Sequence, residues 1–217
     1  MEKKNFKNEI KKFSNDMRSN ILEMSLSAGS SSSHFGGALS IVEILSTLYV
    51  SQLKYDPKNP LWEGRDRFIL SKGHAATALY AMLNHLNILS REDILSYTKR
   101  GSLLEEHPNP KLPGVEAATG SLGHGLSVGC GIALSSKINK SNFETFVLLS
   151  DGECNEGSTW EAALFASAKK LNKLTAIVDF NKWQATGRSQ KVLGLDPLAH
   201  SKTKAARHNT NKCHITC

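Results

Sequence analysis

Apolar side chains recur at helical spacing in the first part of the chain. Between residues 8 and 27 they lie three or four positions apart, at Ile10, Phe13, Met17, Ile21 and Met24. This spacing predicts a helix over about residues 8–27 that ends at Gly29. We expect a second helix from Leu39 to Leu53, a third from His74 to about Leu86, and a short fourth helix that begins at a Ser90–Asp93 capping box.

Further along, the chain alternates strands and helices. Thr145–Leu149 and Leu174–Val178 are short apolar runs typical of buried strands, and Ser158–Leu171 between them is expected to be a helix. A β-α-β order of this kind predicts two parallel strands. With a further short strand over Arg67–Leu70, the sequence predicts an α/β protein with a mostly parallel sheet flanked by helices. Residues 101–120 are rich in Gly and Pro, and we expect a long loop there.

Polar residues follow both strands of the β-α-β unit. Asp151 and Gly152 come after the first strand, and Asn181 comes after the second, thirty positions beyond Asp151. The carboxyl ends of adjacent parallel strands share one edge of the sheet, and open α/β sheets bind ligands at that edge. A carboxylate and an amide oxygen suit a hard cation such as Mg²⁺ or Ca²⁺. Gly152 allows the backbone to approach a phosphate closely, and the start of the helix near Ser158 favours an anion.

Five segments resemble, in the same order, the N-terminal, diphosphate-binding part of transketolases over about residues 9–199. They are Ser33–Gly37, Asp66–Ala75, Glu106–Glu116, Thr119–Gly125 and the Asp-Gly motif that runs from Ser150 to Asn181. The motif usually opens with Gly-Asp-Gly, and this chain has Ser150 in place of the first glycine. The pattern is similar to that of split transketolases, which consist of two different subunits.

The resemblance implies a thiamine diphosphate-binding fold and a set of site residues. It implies a divalent metal, Mg²⁺ or Ca²⁺, held by Asp151, Asn181 and the backbone carbonyl of Trp183. The cofactor-binding residues that it implies are His74, Gly120, Leu122, Gly152, Glu156 and Asn181. The catalytic residues that it implies are His34, His107 and Glu156. The histidines would donate hydrogen bonds and assist proton transfer, and Glu156 would belong to a carboxylate relay between subunits. The alternative for Glu156 is charge compensation at a helix N-terminus.

The activity that the resemblance implies is transfer of a two-carbon ketol unit from a ketose phosphate to an aldose phosphate. In this family the glutamate that activates thiamine belongs to a pyrimidine-binding domain. We therefore expect a separate pyrimidine-domain partner subunit, in a hetero-oligomer such as a heterotetramer. A related enzyme such as 1-deoxyxylulose-5-phosphate synthase, and a truncated remnant without catalytic activity, remain alternatives.

One segment fits a different enzyme class. Gly125–Gly129 matches the G-x-S-x-G motif of serine hydrolases, with Ser127 as the nucleophile. That motif requires a strand before the serine and a helix after it. A Gly-rich loop precedes it here, and residues 121–139 are predicted to form a single helix. The sequence therefore does not favour a hydrolase.

The composition changes at the C-terminal end. The net charge is +7, and four of these charges lie in residues 200–217, which contain no acidic residue. The charge therefore indicates a basic tail on a mildly basic domain and no nucleic-acid partner. We expect an incomplete thiamine diphosphate-binding domain over residues 1–199 and an unrelated, disordered tail over residues 200–217. A metal site in the tail would use His208, Cys213, His214 and Cys217, whose spacing fits no standard zinc module.

The expected compartment is the cytoplasm. No apolar run has the length of a membrane span, and the first residues lack the apolar core of a signal peptide. The four cysteines do not form the pattern of a disulfide framework.

Overall fold

A computed structural model describes residues 2–31 and 34–195 of the chain. The chain divides into two compact units. The first unit comprises the residues up to Arg65 together with Gly73–Ala118, and the second comprises Asp66–Lys72 and the residues from Thr119 on. The predicted basic tail over residues 200–217 lies outside the described residues.

The first unit is helical. Its helices are α1 (Glu2–Ala28), α2 (Phe35–Leu39), α3 (Val42–Ser51), α4 (Ala76–His85) and α5 (Arg91–Leu95). Helix α1 packs against the other four. Its apolar stripe is buried from Phe13 to Met24 as the spacing predicted, with Met17, Ile21 and Met24 completely inaccessible to solvent, whereas Ile10 is only partly buried. The helix ends where Gly29 adopts a positive φ of 58°.

The predicted helix over residues 39–53 begins later in the structure, because α2 ends at Leu39 and α3 covers Val42–Ser51. The turn between α2 and α3 is tight: the N–H of Ile41 donates to the carbonyl of Ala38 and the hydroxyl of Ser40 donates to the carbonyl of Gly37. These bonds reach back three residues instead of four and interrupt the α-helical ladder.

The capping box at the start of α5 is confirmed. The hydroxyl of Ser90 accepts the N–H of Asp93 at 3.0 Å, and the Asp93 carboxylate accepts the N–H of Ser90 at 2.7 Å. The predicted helix start at His74 is shifted, because Gly73–Ala75 form a 3-10 turn and α4 begins at Ala76. The predicted loop over residues 101–120 contains neither helix nor strand.

The second unit contains the predicted parallel sheet. Its elements are β1 (Arg67–Leu70), α6 (Gly125–Ile138), β2 (Thr145–Ser150), α7 (Gly157–Ala168), β3 (Leu174–Asp179), β4 (Trp183–Gln184), β5 (Gly187–Arg188) and α8 (Ser189–Val192). The order β1-β2-β3 places β2 in the centre, and both pairings are parallel. All six residues of β2 are buried, as expected for a central strand covered on both faces. Helix α6 packs on the sheet and α7 packs on α6.

The antiparallel pair β4–β5 and the short helix α8 were not predicted. Strands of two residues are too short to show an alternation of apolar and polar side chains, which is the signal used for strand prediction. The pair nevertheless determines the site, because it returns the chain after Asn181 so that α8 starts beside Asp151. None of the described helices is long and apolar enough to cross a lipid bilayer.

Candidate functional site

The site that was predicted at the edge of the sheet begins where β2 and β3 end. Ser150 pairs with Asp179 in the parallel register, and the N–H of Asp151 donates to the carbonyl of Asp179 at 3.2 Å. Asp151 and Asn181 therefore leave the carboxyl ends of two neighbouring strands, as the β-α-β order predicted.

Asp151 is completely buried, and two hydrogen bonds hold its carboxylate. Its Oδ1 accepts the N–H of Gly152 at 3.0 Å, and its Oδ2 accepts the hydroxyl of Ser189 at 2.5 Å. Each carboxylate oxygen can accept about two bonds, so each has capacity for a further electrophile such as a cation. Ser189 was missed in the sequence, because nothing in its local pattern indicates that the β4–β5 turn brings it to Asp151.

The side-chain amide of Asn181 is held at both ends. Its Nδ2 donates to Asp179 Oδ2 at 2.9 Å, and its Oδ1 accepts the N–H of Trp183 at 2.9 Å. The same Oδ2 of Asp179 accepts Lys72 Nζ at 2.7 Å, and Lys72 is completely buried. The indole ring of Trp183 is more than half exposed and lies under the guanidinium of Arg188, 4.2 Å from the ring centre.

A second buried carboxylate, that of Glu153, links three segments of this unit. One oxygen accepts the hydroxyl of Ser71 at 2.5 Å and the N–H of Gly123 at 3.0 Å. The other oxygen accepts the N–H of Ser150 at 2.8 Å. These charge-assisted bonds compensate for burial of the charge. Glu153 thereby fixes the loop that contains Gly120 and Leu122, two predicted cofactor-binding residues.

The same loop packs closely on the start of α7. Gly123 has a φ of +83°, and a Cβ at this position would lie 2.6 Å from Cβ of Glu156 and from Oγ of Ser158. Glu156 is exposed and occupies the N-cap position of α7, but its side chain makes no capping hydrogen bond. His124 is also exposed, and its Nδ1 lies 3.1 Å from the carbonyl of Leu122.

The three predicted histidines belong to the first unit. The rings of His34 and His74 meet edge to face, with their centres 5.4 Å apart. His34 has a φ of +67°, which is uncommon for a non-glycine residue and indicates a constrained position. His107 is fixed through its backbone, because the hydroxyl of Tyr80 lies 2.9 Å from the carbonyls of Glu105 and His107. Burial raises the pKa of Tyr80 well above the usual range of a phenol, so the hydroxyl keeps its proton and remains a donor.

The serine-hydrolase alternative lacks its structural context. Ser127 is the third residue of α6, and the segment before this helix is a loop rather than a strand. The strand-to-helix turn that exposes a nucleophilic serine in hydrolases is therefore absent at this residue.

The donor groups at the sheet edge fit a metal ion that is shared with a diphosphate. Within residues 2–31 and 34–195, no three His, Cys, Asp or Glu side chains form a metal cage. Mg²⁺ is commonly bound by one or two carboxylates together with phosphate oxygens, and Asp151 with Asn181 can supply the protein oxygens. An anion would also provide a hydrogen-bond acceptor for a nearby side-chain N–H group that lacks one. Nε2 of Gln184 is buried without a hydrogen-bond partner, and a Cβ at Gly152 would lie 3.4 Å from Cγ of Gln184.

Comparison with known proteins gives a consistent result. The family described as "Transketolase, thiamine diphosphate binding domain" matches residues 11–212. This range runs past residue 199, so the point at which the family pattern ends stays a prediction.

Two curated relatives are named as subunits of transketolases. One of the subunits of the apulose-4-phosphate transketolase of Phocaeicola vulgatus is 42% identical over 165 residues, which are 76% of this chain and 59% of that protein. The 6-deoxy-6-sulfo-D-fructose transketolase subunit SqwG of a Clostridium species is 40% identical over 166 residues, with 76% and 60% covered. The chain thus spans about three fifths of the length of these relatives.

A solved structure shares the fold. The transketolase of Campylobacter jejuni superimposes with a TM-score of 0.82 at 28% identity, and the superposition covers 96% of this chain and 37% of that one.

Proposed function

Since this chain belongs to the transketolase family through its thiamine diphosphate binding domain, we propose that it is the diphosphate-binding part of a two-subunit transketolase. The observation that carries the proposal is the buried carboxylate of Asp151 at the edge of the sheet, with the oriented amide of Asn181 after the neighbouring strand. Thiamine diphosphate supplies the electron-accepting chemistry of ketol transfer, and the protein supplies binding and orientation.

The proposed metal ligands are Asp151, Asn181 and the carbonyl of Trp183, with Mg²⁺ or Ca²⁺ as the ion. Asp151 is the charged ligand of this set, and its burial strengthens its attraction for a cation because little water competes. The proposed cofactor-binding residues are His74, Gly120, Leu122, Gly152, Glu156 and Asn181. The proposed catalytic residues are His34, His107 and Glu156, and the exposed carboxylate of Glu156 is accessible to a partner subunit.

The proposed substrates are sugars with an anionic group. One relative is named for apulose 4-phosphate and another for 6-deoxy-6-sulfo-D-fructose. A ketose that bears a phosphate or a sulfonate is therefore the class that we propose for this chain. It would act with a pyrimidine-domain partner subunit, in a hetero-oligomer in the cytoplasm.

The test is cofactor binding by the Asp151→Ala variant. Removal of the charged ligand should weaken Mg²⁺-dependent binding of thiamine diphosphate by more than about 100-fold. This exceeds the usual effect of changing a residue that only supports a metal ligand. Asn181→Ala should weaken it less, because the amide is a neutral ligand. Calorimetric titration with thiamine diphosphate and Mg²⁺, in the presence of the partner subunit, measures both affinities.

Glu161→Ala is the matched control, since Glu161 is an exposed carboxylate on α7. This variant should bind the cofactor as the wild type does. An unchanged affinity in Asp151→Ala would refute the metal site. Absence of binding by the wild-type chain with its partner would favour the remnant without catalytic activity.

A further inference from the structure

Asn181 can serve a cation only in one of its two amide orientations. The oxygen and the nitrogen of a carboxamide have nearly the same shape, and a rotation of half a turn exchanges them. In one orientation the oxygen is available as a ligand. In the other, the NH₂ group presents hydrogen atoms, which repel a cation.

The neighbours of Asn181 distinguish the two orientations. Asp179 Oδ2 lies 2.9 Å from Nδ2, and a carboxylate only accepts hydrogen bonds. The N–H of Trp183 lies 2.9 Å from Oδ1, and a backbone N–H only donates. After rotation, oxygen would face oxygen at Asp179 and donor would face donor at Trp183, so both contacts would become repulsive.

Asp179 in turn depends on Lys72. The Lys72 ammonium is completely buried, lies 2.7 Å from the same Oδ2, and balances the charge that the carboxylate brings into the interior. A buried carboxylate without such a partner is strongly unfavourable. The chain of contacts therefore runs from the Lys72 ammonium through Asp179 to the amide of Asn181.

We infer that Asp179, with its charge balanced by Lys72, is a positioning residue that keeps the side-chain oxygen of Asn181 directed at the metal. The inference rests on the proposed metal site, to which it adds two residues that do not touch the ion. The competing interpretation is that the pair only joins the end of β3 to the segment after β1. In that case cofactor affinity would follow stability.

Two double variants separate these interpretations. Lys72→Met/Asp179→Leu removes both charges and the acceptor that Asp179 offers to Asn181. Lys72→Met/Asp179→Asn also removes both charges but retains a carboxamide oxygen that can accept the Asn181 N–H. Replacement of a whole buried ion pair by apolar residues is often neutral for stability, whereas removal of one partner is costly. The two double variants should therefore have similar melting temperatures, and these should be higher than those of Lys72→Met or Asp179→Leu alone.

The expected result is a split between stability and affinity. Each variant of the full chain is melted without cofactor and then titrated with thiamine diphosphate and Mg²⁺ in the presence of the partner subunit. Lys72→Met/Asp179→Asn should bind the cofactor within about threefold of the wild type. Lys72→Met/Asp179→Leu should bind it about 10- to 100-fold more weakly, which is the usual effect of changing a residue that supports a metal ligand without touching the metal. Lys72→Leu/Asp179→Met also removes the acceptor at position 179. It shows whether the loss of affinity depends on one particular pair of apolar replacements.

Equal cofactor affinities in Lys72→Met/Asp179→Leu and Lys72→Met/Asp179→Asn would overturn the role of Asp179. If Asp151→Ala still loses binding in that case, only this inference fails and the proposed function stands. If the wild type shows no Mg²⁺-dependent binding, the proposed function itself fails.

Discussion

Single buried charges hold the candidate site in place, and Glu153 shows how. Both of its oxygens accept backbone N–H groups, from Gly123 on one side and from Ser150 on the other. A sequence motif can indicate Asp151 and Asn181, because each lies just after a strand that the apolar pattern predicts. It cannot indicate Glu153, Lys72 or Ser189, since each acts through a partner that is distant in the sequence.

Glu153→Gln should destabilise the protein although it barely changes the shape of the side chain. Whichever oxygen becomes an NH₂ group, it will face an N–H donor, of Gly123 or of Ser150. Two buried donors then face each other without an acceptor between them. This should lower the free energy of unfolding by about 1–3 kcal/mol. Denaturant unfolding measures this, and Glu161→Gln on the exposed face of α7 should change it by less than about 0.5 kcal/mol. Equal stability of both variants would show that the Glu153 charge does not hold these loops.

Close packing of α6 on the sheet explains why this helix tolerates glycine. A Cβ at Gly129 would lie 2.4 Å from Cγ2 of Val147 in the central strand, whereas a Cβ at Gly131 would meet nothing within 4 Å. Glycine is normally unfavourable inside a helix, so Gly129 is required by the contact and Gly131 is not. The sequence predicted the helix and the strand correctly, but it could not show which glycine faces the sheet, because α6 is apolar over most of its surface.

Alanine at these two positions should therefore have opposite effects. Gly131→Ala should stabilise the protein by about 0.5–1 kcal/mol, because alanine has the better helix propensity. Gly129→Ala should destabilise it by about 1–3 kcal/mol, because the added methyl group overpacks the interior against Val147. Thermal melting of both variants tests the pair. A destabilising Gly131→Ala or a neutral Gly129→Ala would mean that α6 does not lie on the sheet as described.

For the whole molecule, the family match indicates which part of a transketolase these residues represent. The family match concerns the thiamine diphosphate binding domain, and the superposition on the Campylobacter jejuni transketolase covers 37% of that protein. The parallel pairing of β2 with β3 and the shared edge where Asp151 and Asn181 lie followed from the sequence, because the β-α-β pattern predicts both. The position of β1 on the other side of β2 did not follow from it. The pyrimidine-side glutamate that the family resemblance implies belongs to a different domain, so no pattern in these residues can supply it.

A polypeptide of these 217 residues should therefore transfer no ketol unit by itself. The proposed ligands would hold the metal and the diphosphate, whereas the family resemblance implies that the proton transfer that activates thiamine needs a carboxyl group near the pyrimidine ring. Addition of a pyrimidine-domain subunit should produce activity with the wild-type chain and not with Asp151→Ala, as measured by two-carbon transfer between sugar phosphates in a coupled assay. The comparison between these two mixtures separates a missing partner from a missing metal site. Ketol transfer by the purified chain, rigorously free of other subunits, would contradict the need for a pyrimidine-domain partner. It would require a base for thiamine activation among the residues of this chain.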